Sequence, residues 1–481
     1  MTEKIRTGAT QEPRPEKAKN QKPSKCIIPI VSAITDQGHM LEVVFDPVQA
    51  KARLIIWDGK KASIIDSHLP DDQTRMVPAP SIGALVEHSV LRLPSDASEY
   101  GETADLLDAI RSYIHRYVDV PEAFERLAAN YVLLTWVYDR FRELPYLRRR
   151  GDYGTGKTRF LTVIGSICYK PIFAGGASTV SPLFHLVNQL RGTLIIDEAD
   201  FRFSDESALI AKIFNQGNVD GYPVLRSESV NGREFKPRAF KVFGPKIVAM
   251  RKRYDDPALE SRFLTETSSN PSIRKNIPIN LPSEQEAEAQ ILRNKLLMYR
   301  FRNYSHMGAP KRIDEFEIEP RMHQILAPLL SVAVDETDRQ AILAHAALAQ
   351  GALDEARGQT LEAEVLTVIM MLMSEDRGAG VSVRKIAELH GRAFLKGVSK
   401  PLSPRSMGHV VRTRLNLRTQ KSHGVFIIPK SQASILARLY NRYGVTHDDV
   451  SALAGELGEA ERVDFGDVGE KTKPPLPTIE A

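Results

Sequence analysis

Residues Gly151-Asp-Tyr-Gly154-Thr-Gly156-Lys157-Thr158 fit the pattern G-x-x-x-x-G-K-[ST] without a mismatch. A loop of this kind aims consecutive backbone N–H groups at phosphate oxygens. Gly151, Gly154 and Gly156 let the chain turn tightly and approach a nucleotide closely. With Thr155 they form the expected ATP-binding loop. Lys157 would reach the β- and γ-phosphates, and Thr158 would hold Mg²⁺. A helix over 157–167 would turn its positive N-terminus toward the same anion. Forty residues on, Leu194-Ile-Ile-Asp197-Glu198 is an apolar run ending in two acids. Asp197 would hold Mg²⁺, directly or through water, and Glu198 would polarise the attacking water. Positioning and electrostatics of this sort are most of what phosphoryl transfer requires. In isolation the run is an ordinary strand ending in a solvated acidic turn; the loop before it gives it the catalytic reading.

The elements needed to position these residues are legible. Residues 145–270 alternate strand and helix, with strands expected at 145–149, 171–174, 193–196 and 246–250 and helices at 157–167, 181–190 and 205–214. Such alternation predicts a parallel sheet with helices on both faces. Between the third helix and fourth strand, GYPVLRSES and REFKPRAFKVF flank Val230-Asn231-Gly232, and Asn-Gly is a strong hairpin signal. The hairpin carries Arg226, Arg233, Lys236, Arg238 and Lys241. Its cations would track a nucleic-acid backbone; an ordinary solvated hairpin is the plain alternative.

Eight residues past the fourth strand stands Ala258-Leu-Glu-Ser261-Arg262-Phe263. An arginine there is placed to reach the γ-phosphate held by a neighbouring subunit, its fixed fork donating two hydrogen bonds to developing charge. A surface arginine at a helix end is the alternative. Arg251 and Lys252, at the tip of the fourth strand, are candidates for sensing the γ-phosphate within one subunit.

Charge distribution adds a second site. The net charge of +5 over 481 residues hides a run at 391–430 with nine Lys/Arg and no acid, followed by nine acids against three bases at 445–481. A helix over 403–415 carries Arg405, His409, Arg412 and Arg414. Arg418 follows, and Lys421 lies on a ribbon over 419–428 turning at Ser422-His-Gly424. Helices at 361–374, 382–390 and 403–415 before a ribbon predict a winged helix-turn-helix whose basic face meets DNA phosphates rather than base edges. Composition is that of a globular protein, with 42% hydrophobic and 26% charged residues. Cys26 and Cys168 form no C-x-x-C pair, and no Cys/His cluster has zinc spacing. Without a signal peptide or an apolar run near 18 residues, a cytoplasmic protein with no membrane span is expected.

The order of motifs over 145–270 resembles AAA+ ATPases of the minichromosome-maintenance-like helicase class, and especially helicase-like ATPases of phages, plasmids and integrated mobile elements. Phe243-Gly-Pro-Lys246-Ile and Ala-Leu-x-Ser-Arg recur in the latter. The resemblance implies ATP and Mg²⁺ as cofactors, Arg262 as a trans-acting arginine finger, and a homo-oligomeric, hexameric ring with single-stranded DNA in its pore. Met250-Arg251-Lys252 stands where that class has a sensor asparagine, and no zinc-binding N-terminal module is visible. Asp197-Glu-Ala-Asp200 spells the motif of DEAD-box RNA helicases, but its separation from the loop is too short for them.

The expected fold class is therefore an α/β P-loop NTPase of AAA+ type with a pre-sensor hairpin, a small β-rich N-terminal module, a helical lid and a C-terminal winged helix. Expected boundaries are a disordered basic arm (1–25), an α+β module (26–120), the ATPase core (121–275), a helical lid (276–355), the winged helix (356–445) and an acidic tail (446–481). The expected function is a DNA helicase or replication initiator of a mobile element. A regulatory or partition ATPase on DNA, and a protein-remodelling ATPase, are the alternatives.

Overall fold

The computed structural model describes residues 26–175, 178–197, 205–230, 234–254, 256–268, 274–308, 319–358, 360–375, 380–394 and 401–466. They fall into two compact units that divide between Leu343 and Ala344. Among them no helix is long and apolar enough to cross a membrane.

The first unit opens with strands β1 (Cys26–Ile30), β2 (Ser32–Ile34), β3 (Met40–Asp46), β4 (Lys51–Trp57), β5 (Ala62–Ile65) and β6 (Thr74–Pro78). β2 to β5 form an antiparallel meander, and β1 pairs with β6 in parallel. β3 reads MLEVVFD, and its first five residues are all buried, so both of its faces are covered. Helices α1 (Ile82–Glu87), α2 (Thr103–Tyr117) and α3 (Glu122–Val137) lead to the central sheet. α3 ends at Val137, where Tyr138–Arg140 tighten into a 3₁₀ turn.

That sheet is built from β7 (Tyr146–Gly151), β8 (Ile172–Ala174), β9 (Leu194–Ile196), β12 (Lys246–Met250) and β13 (Phe263–Ser268), with the β10 (Val224–Val230) and β11 (Glu234–Phe240) hairpin inserted before β12. The order is β13-β7-β12-β9-β8, all parallel. Helices α4 (Lys157–Ser166), α5 (Val180–Leu190) and α6 (Asp205–Gln216) cover it. Ile195 faces α4 so closely that Gly165 has no room for a Cβ. On the other face Tyr146, Ile196 and Val248 share a core with Phe184 of α5 and Phe214 of α6. The result is an α/β sheet with helices on both faces. β13 was not among the expected strands: FLTETS carries only two buried apolar residues at its start.

The unit closes with the short α7 (Pro257–Glu260), then α8 (Ser283–Asn303) and α9 (Pro320–Val332). After α9 the chain breaks at Ala333–Asp335 and restarts as α10 (Glu336–Gly358), which runs across the boundary between units.

The N-terminal strands are locked to the core by a buried ion network. Glu42 of β3 accepts from Lys170 Nζ, Arg300 Nε and Tyr169 Oη, each at 2.8 Å. Arg300 also forks onto Asp139 at 2.8 and 2.9 Å, while Trp57 stacks on Phe301. Burial pulls the Lys170 ammonium down against the opposing pull of Glu42. Removing one member leaves cations uncompensated in low dielectric, so Glu42→Ala is expected to cost roughly 3–5 kcal/mol. Denaturant unfolding of the variant checks this; an unchanged midpoint would show that the network contributes nothing.

The second unit contains α11 (Leu361–Glu375), β14 (Gly380–Ser382), α12 (Val383–Phe394), α13 (Pro404–His409), β15 (Gln420–Ser422), β16 (Val425–Pro429), α14 (Ala433–Tyr443) and α15 (His447–Gly466). Its sheet runs β14-β16-β15, antiparallel throughout. His423 and Gly424, both at positive φ, make the two-residue turn of the ribbon. Val365, Ile369, Ile386, Met407, Val411 and Ile428 belong to a core of its own.

Candidate nucleotide site

β7 ends at Gly151 and α4 begins at Lys157, so the glycine-rich loop leaves the carboxyl end of a central strand and enters a helix N-terminus. Open α/β sheets bind ligands at such carboxyl ends. Gly154 and Gly156 lie in the left-handed region, at φ +75° and +74°, where a side chain would be strained. Gly151 is constrained by space: a Cβ would sit 2.7 Å from Thr155 Oγ1 and 3.1 Å from Ser268 O. Thr155 Oγ1 donates to Asp152 O at 2.8 Å, closing the turn. Lys157 Nζ donates to the carbonyls of Gly151 (2.9 Å) and Asp152 (2.6 Å), which sets its charge in the loop's concavity.

Asp197 follows the last residue of β9. Thr158 Oγ1, in the first turn of α4, donates to Asp197 Oδ2 at 2.7 Å. A hydroxyl and a carboxylate oxygen converging at a helix N-terminus form a hard-oxygen donor pair of the kind Mg²⁺ takes alongside phosphate. The two residues thus fit a Mg²⁺–nucleotide complex. Glu198 lies outside the described residues. Among those described, no cluster of three or more His, Cys, Asp or Glu side chains is positioned to hold a metal alone.

β12 delivers Arg251 to the same loop. Its guanidinium stands 3.6 Å above the Tyr153 ring and donates to Tyr153 Oη. Lys252 follows it, exposed. Two further residues escaped sequence reasoning. Arg149 of β7, 5% exposed, donates to Thr155 O at 3.2 Å and steadies the loop from behind. Tyr153 stood in the loop pattern as an unspecified position. For Arg149 a signal existed: Arg148-Arg149-Arg150 is out of place in a central parallel strand, which ordinarily reads as an apolar run.

Arg262 is not brought to this loop. β13 runs alongside β7 with Ser268 opposite Gly151 and Phe263 opposite Tyr146. Arg262 precedes Phe263, so at 3.3 Å per residue it lies about 20 Å from its own loop. It is 9% exposed, not a surface side chain, and donates to Asn215 Oδ1 near the end of α6. Burial, with the Arg321 guanidinium nearby, pulls it below the usual guanidinium range. Arg321 itself donates to Ala258 O (2.8 Å) and Ser261 Oγ (3.3 Å). The turn is fixed from β7 as well, because buried Arg148 forks onto Glu260.

The other candidate cations divide between the units. On the hairpin, Arg226 lies 4.8 Å over the Phe184 ring, Arg238 pairs with Glu228 at 2.9 Å and Lys236 is exposed; Arg233 lies outside the described residues. In the second unit the helix expected over 403–415 is α13 extended by a π-type turn over Val410–Arg414. Ser403 caps it by accepting from Ser406 N. Arg405, His409, Arg412, Arg414, Arg418 and Lys421 are all exposed. Arg414 pairs with Glu362 at 3.2 Å, and Arg412 lies 5.8 Å from the Phe426 ring centre.

No family model and no curated protein matches the chain. Among solved structures it is similar to the apo C-terminal region of NrS-1, at 11% identity and TM-score 0.35, over 81% of this chain and 96% of that one. It is also similar to a full-length MCM homolog from Methanopyrus kandleri, at 11% identity and TM-score 0.33, over 65% of this chain and 78% of that one. Likeness at this level fixes neither chemistry nor partner, which must come from the site itself.

Proposed function

We propose that the chain binds ATP with Mg²⁺ at Gly151–Thr158, hydrolyses it, and uses the turnover to act on DNA as a helicase or replication initiator of AAA+ type. The observation that carries this reading is the 2.7 Å contact between Thr158 Oγ1 and Asp197 Oδ2. Two residues 39 apart in sequence meet at the helix N-terminus that the glycine loop feeds. Loop amides and Lys157 hold the phosphates, and Thr158 and Asp197 hold Mg²⁺. Glu198 orients and polarises the attacking water, while Arg251 or Lys252 senses the γ-phosphate. Held by Thr158 and Asp197, Mg²⁺ would supply positive charge against the charge that develops on the phosphates. Arg262 completes the site of a neighbouring copy, for which a ring of six is the natural assembly.

In the second unit we read α11, α12 and α13 with the β15–β16 ribbon as a winged helix-turn-helix, α13 being its recognition helix and Lys421 near the wing tip. Its exposed cations suit phosphates better than base edges. With four or five of them on phosphates, DNA affinity should fall with salt at a log–log slope of roughly −4. A flat salt response would leave this unit a protein-binding module.

The test uses the intact chain: ATP hydrolysis with and without DNA, then strand displacement on a forked duplex. Hydrolysis with displacement supports the helicase reading. DNA-stimulated hydrolysis without displacement would replace it with an ATPase that gates assembly on DNA. Failure to bind or split ATP in the presence of DNA would remove the proposal altogether.

A further inference from the structure

We propose that the outward face of the β10–β11 hairpin is a stacking platform for the bases of single-stranded nucleic acid, with Phe235 as its aromatic surface. The proposal rests on the nucleic-acid reading above and specifies what the hairpin contacts.

Register separates the two faces. Val224 pairs with Phe240, Arg226 with Arg238 and Glu228 with Lys236, placing these six on one side. That side lies on α5. Phe240 is buried against Phe184 and His185, Arg226 covers the Phe184 ring, and Glu228 holds both His185 (3.1 Å) and Arg238 (2.9 Å). The other side carries Leu225, Ser227 and Ser229 opposite Ala239, Pro237 and Phe235. None of these six is charged, and Leu225 is 69% and Phe235 72% exposed.

Three observations select the occupant. Four apolar residues, of which only Leu225 and Phe235 are large, are too little for the core of a protein interface, which buries about 800 Å² per partner. Pro237 removes a donor from β11, which disfavours growth of the ribbon by a strand of another chain. The segment Val224–Lys241 carries five cations against two acids, and Glu228 is already engaged. An exposed aromatic on a hairpin whose other face carries cations suits a base stacked on the ring, with the phosphates a secondary contact. The cations' position against α5 makes phosphate tracking the lesser part of the hairpin's contact.

The experiment compares binding of the full chain to an oligo-dT and to an abasic oligomer of equal length, which carries the same charge without bases. The wild type should prefer oligo-dT by about tenfold. Phe235→Ala should abolish that preference while keeping the abasic affinity. Since Phe235 is largely exposed, the change does not threaten folding. Phe235→Trp should retain the preference, and its emission, over the background of Trp57 and Trp136, should be quenched by oligo-dT but not by the abasic oligomer. An Ala variant with undiminished preference, or a Trp variant blind to oligo-dT, overturns the proposal. So does a variant that changes only self-association, which would make the face a contact between copies. Equal wild-type binding to both oligomers sinks the stacking idea but leaves the nucleic-acid reading standing; binding to neither removes both.

Discussion

Lys157→Ala is expected to lower ATP turnover at least ~10²-fold while leaving the fold intact, the scale seen when one preorganised donor to a developing charge is removed. Lys157 is the first residue of α4, and its Nζ already lies within 2.9 Å of the loop carbonyls of Gly151 and Asp152. A phosphate arriving over the loop meets an ammonium that needs no long rearrangement. Alanine is at least as good a helix former as lysine. The carbonyls released are at the rim of the loop and can turn to water, so thermal stability should barely move. Hydrolysis and melting are measured on the same preparation. Wild-type turnover in a folded Lys157→Ala chain would disqualify Gly151–Thr158 as the phosphate site, and with it the role given to Asp197.

What sequence could reveal here follows from where the information is local. Phosphate loops and parallel strands are written in short runs: LII of β9 and the IVAM of β12 are apolar because both faces of the sheet are covered, and Gly154 and Gly156 are glycine because φ is positive there. The central sheet and the Thr158–Asp197 pair were therefore legible. Features set by register or by distant partners were not. Glu42 looks like one acid in an apolar strand, and nothing nearby announces Lys170, Arg300 and Asp139. The hairpin's cations were countable, but only pairing shows that Arg226 and Arg238 turn toward α5 while Phe235 turns away. β13 was hidden because FLTETS, with only Phe263 and Leu264 apolar, has too few apolar positions to declare a strand.

Arg262→Ala is expected to leave nucleotide affinity within about threefold and to cut turnover of the assembled protein by ~10³-fold or more, the effect of removing an arginine finger. The asymmetry comes from distance. Arg262 precedes Phe263 at the start of β13, whereas Ser268 at the strand's other end is the residue paired with Gly151, so Arg262 cannot touch the phosphates that its own loop holds. Whatever it does to catalysis must be done for another copy. Its environment is consistent with a held, aimed side chain: Asn215 accepts from one arm, Arg148 fixes Glu260 two residues earlier, and Arg321 braces Ala258 and Ser261. Because Arg262 is buried, alanine could act by loosening the turn, so Arg262→Lys is measured beside it. Lysine keeps the charge but loses the fork, and should remain folded while turning over poorly. The deciding measurement mixes subunits. Arg262→Ala chains retain an intact loop, and Lys157→Ala chains retain an intact Arg262, so co-assembly should restore activity that neither variant has alone. Mixtures no more active than their parts, or Arg262→Lys chains as fast as the wild type, would confine Arg262 to holding α6 against β13.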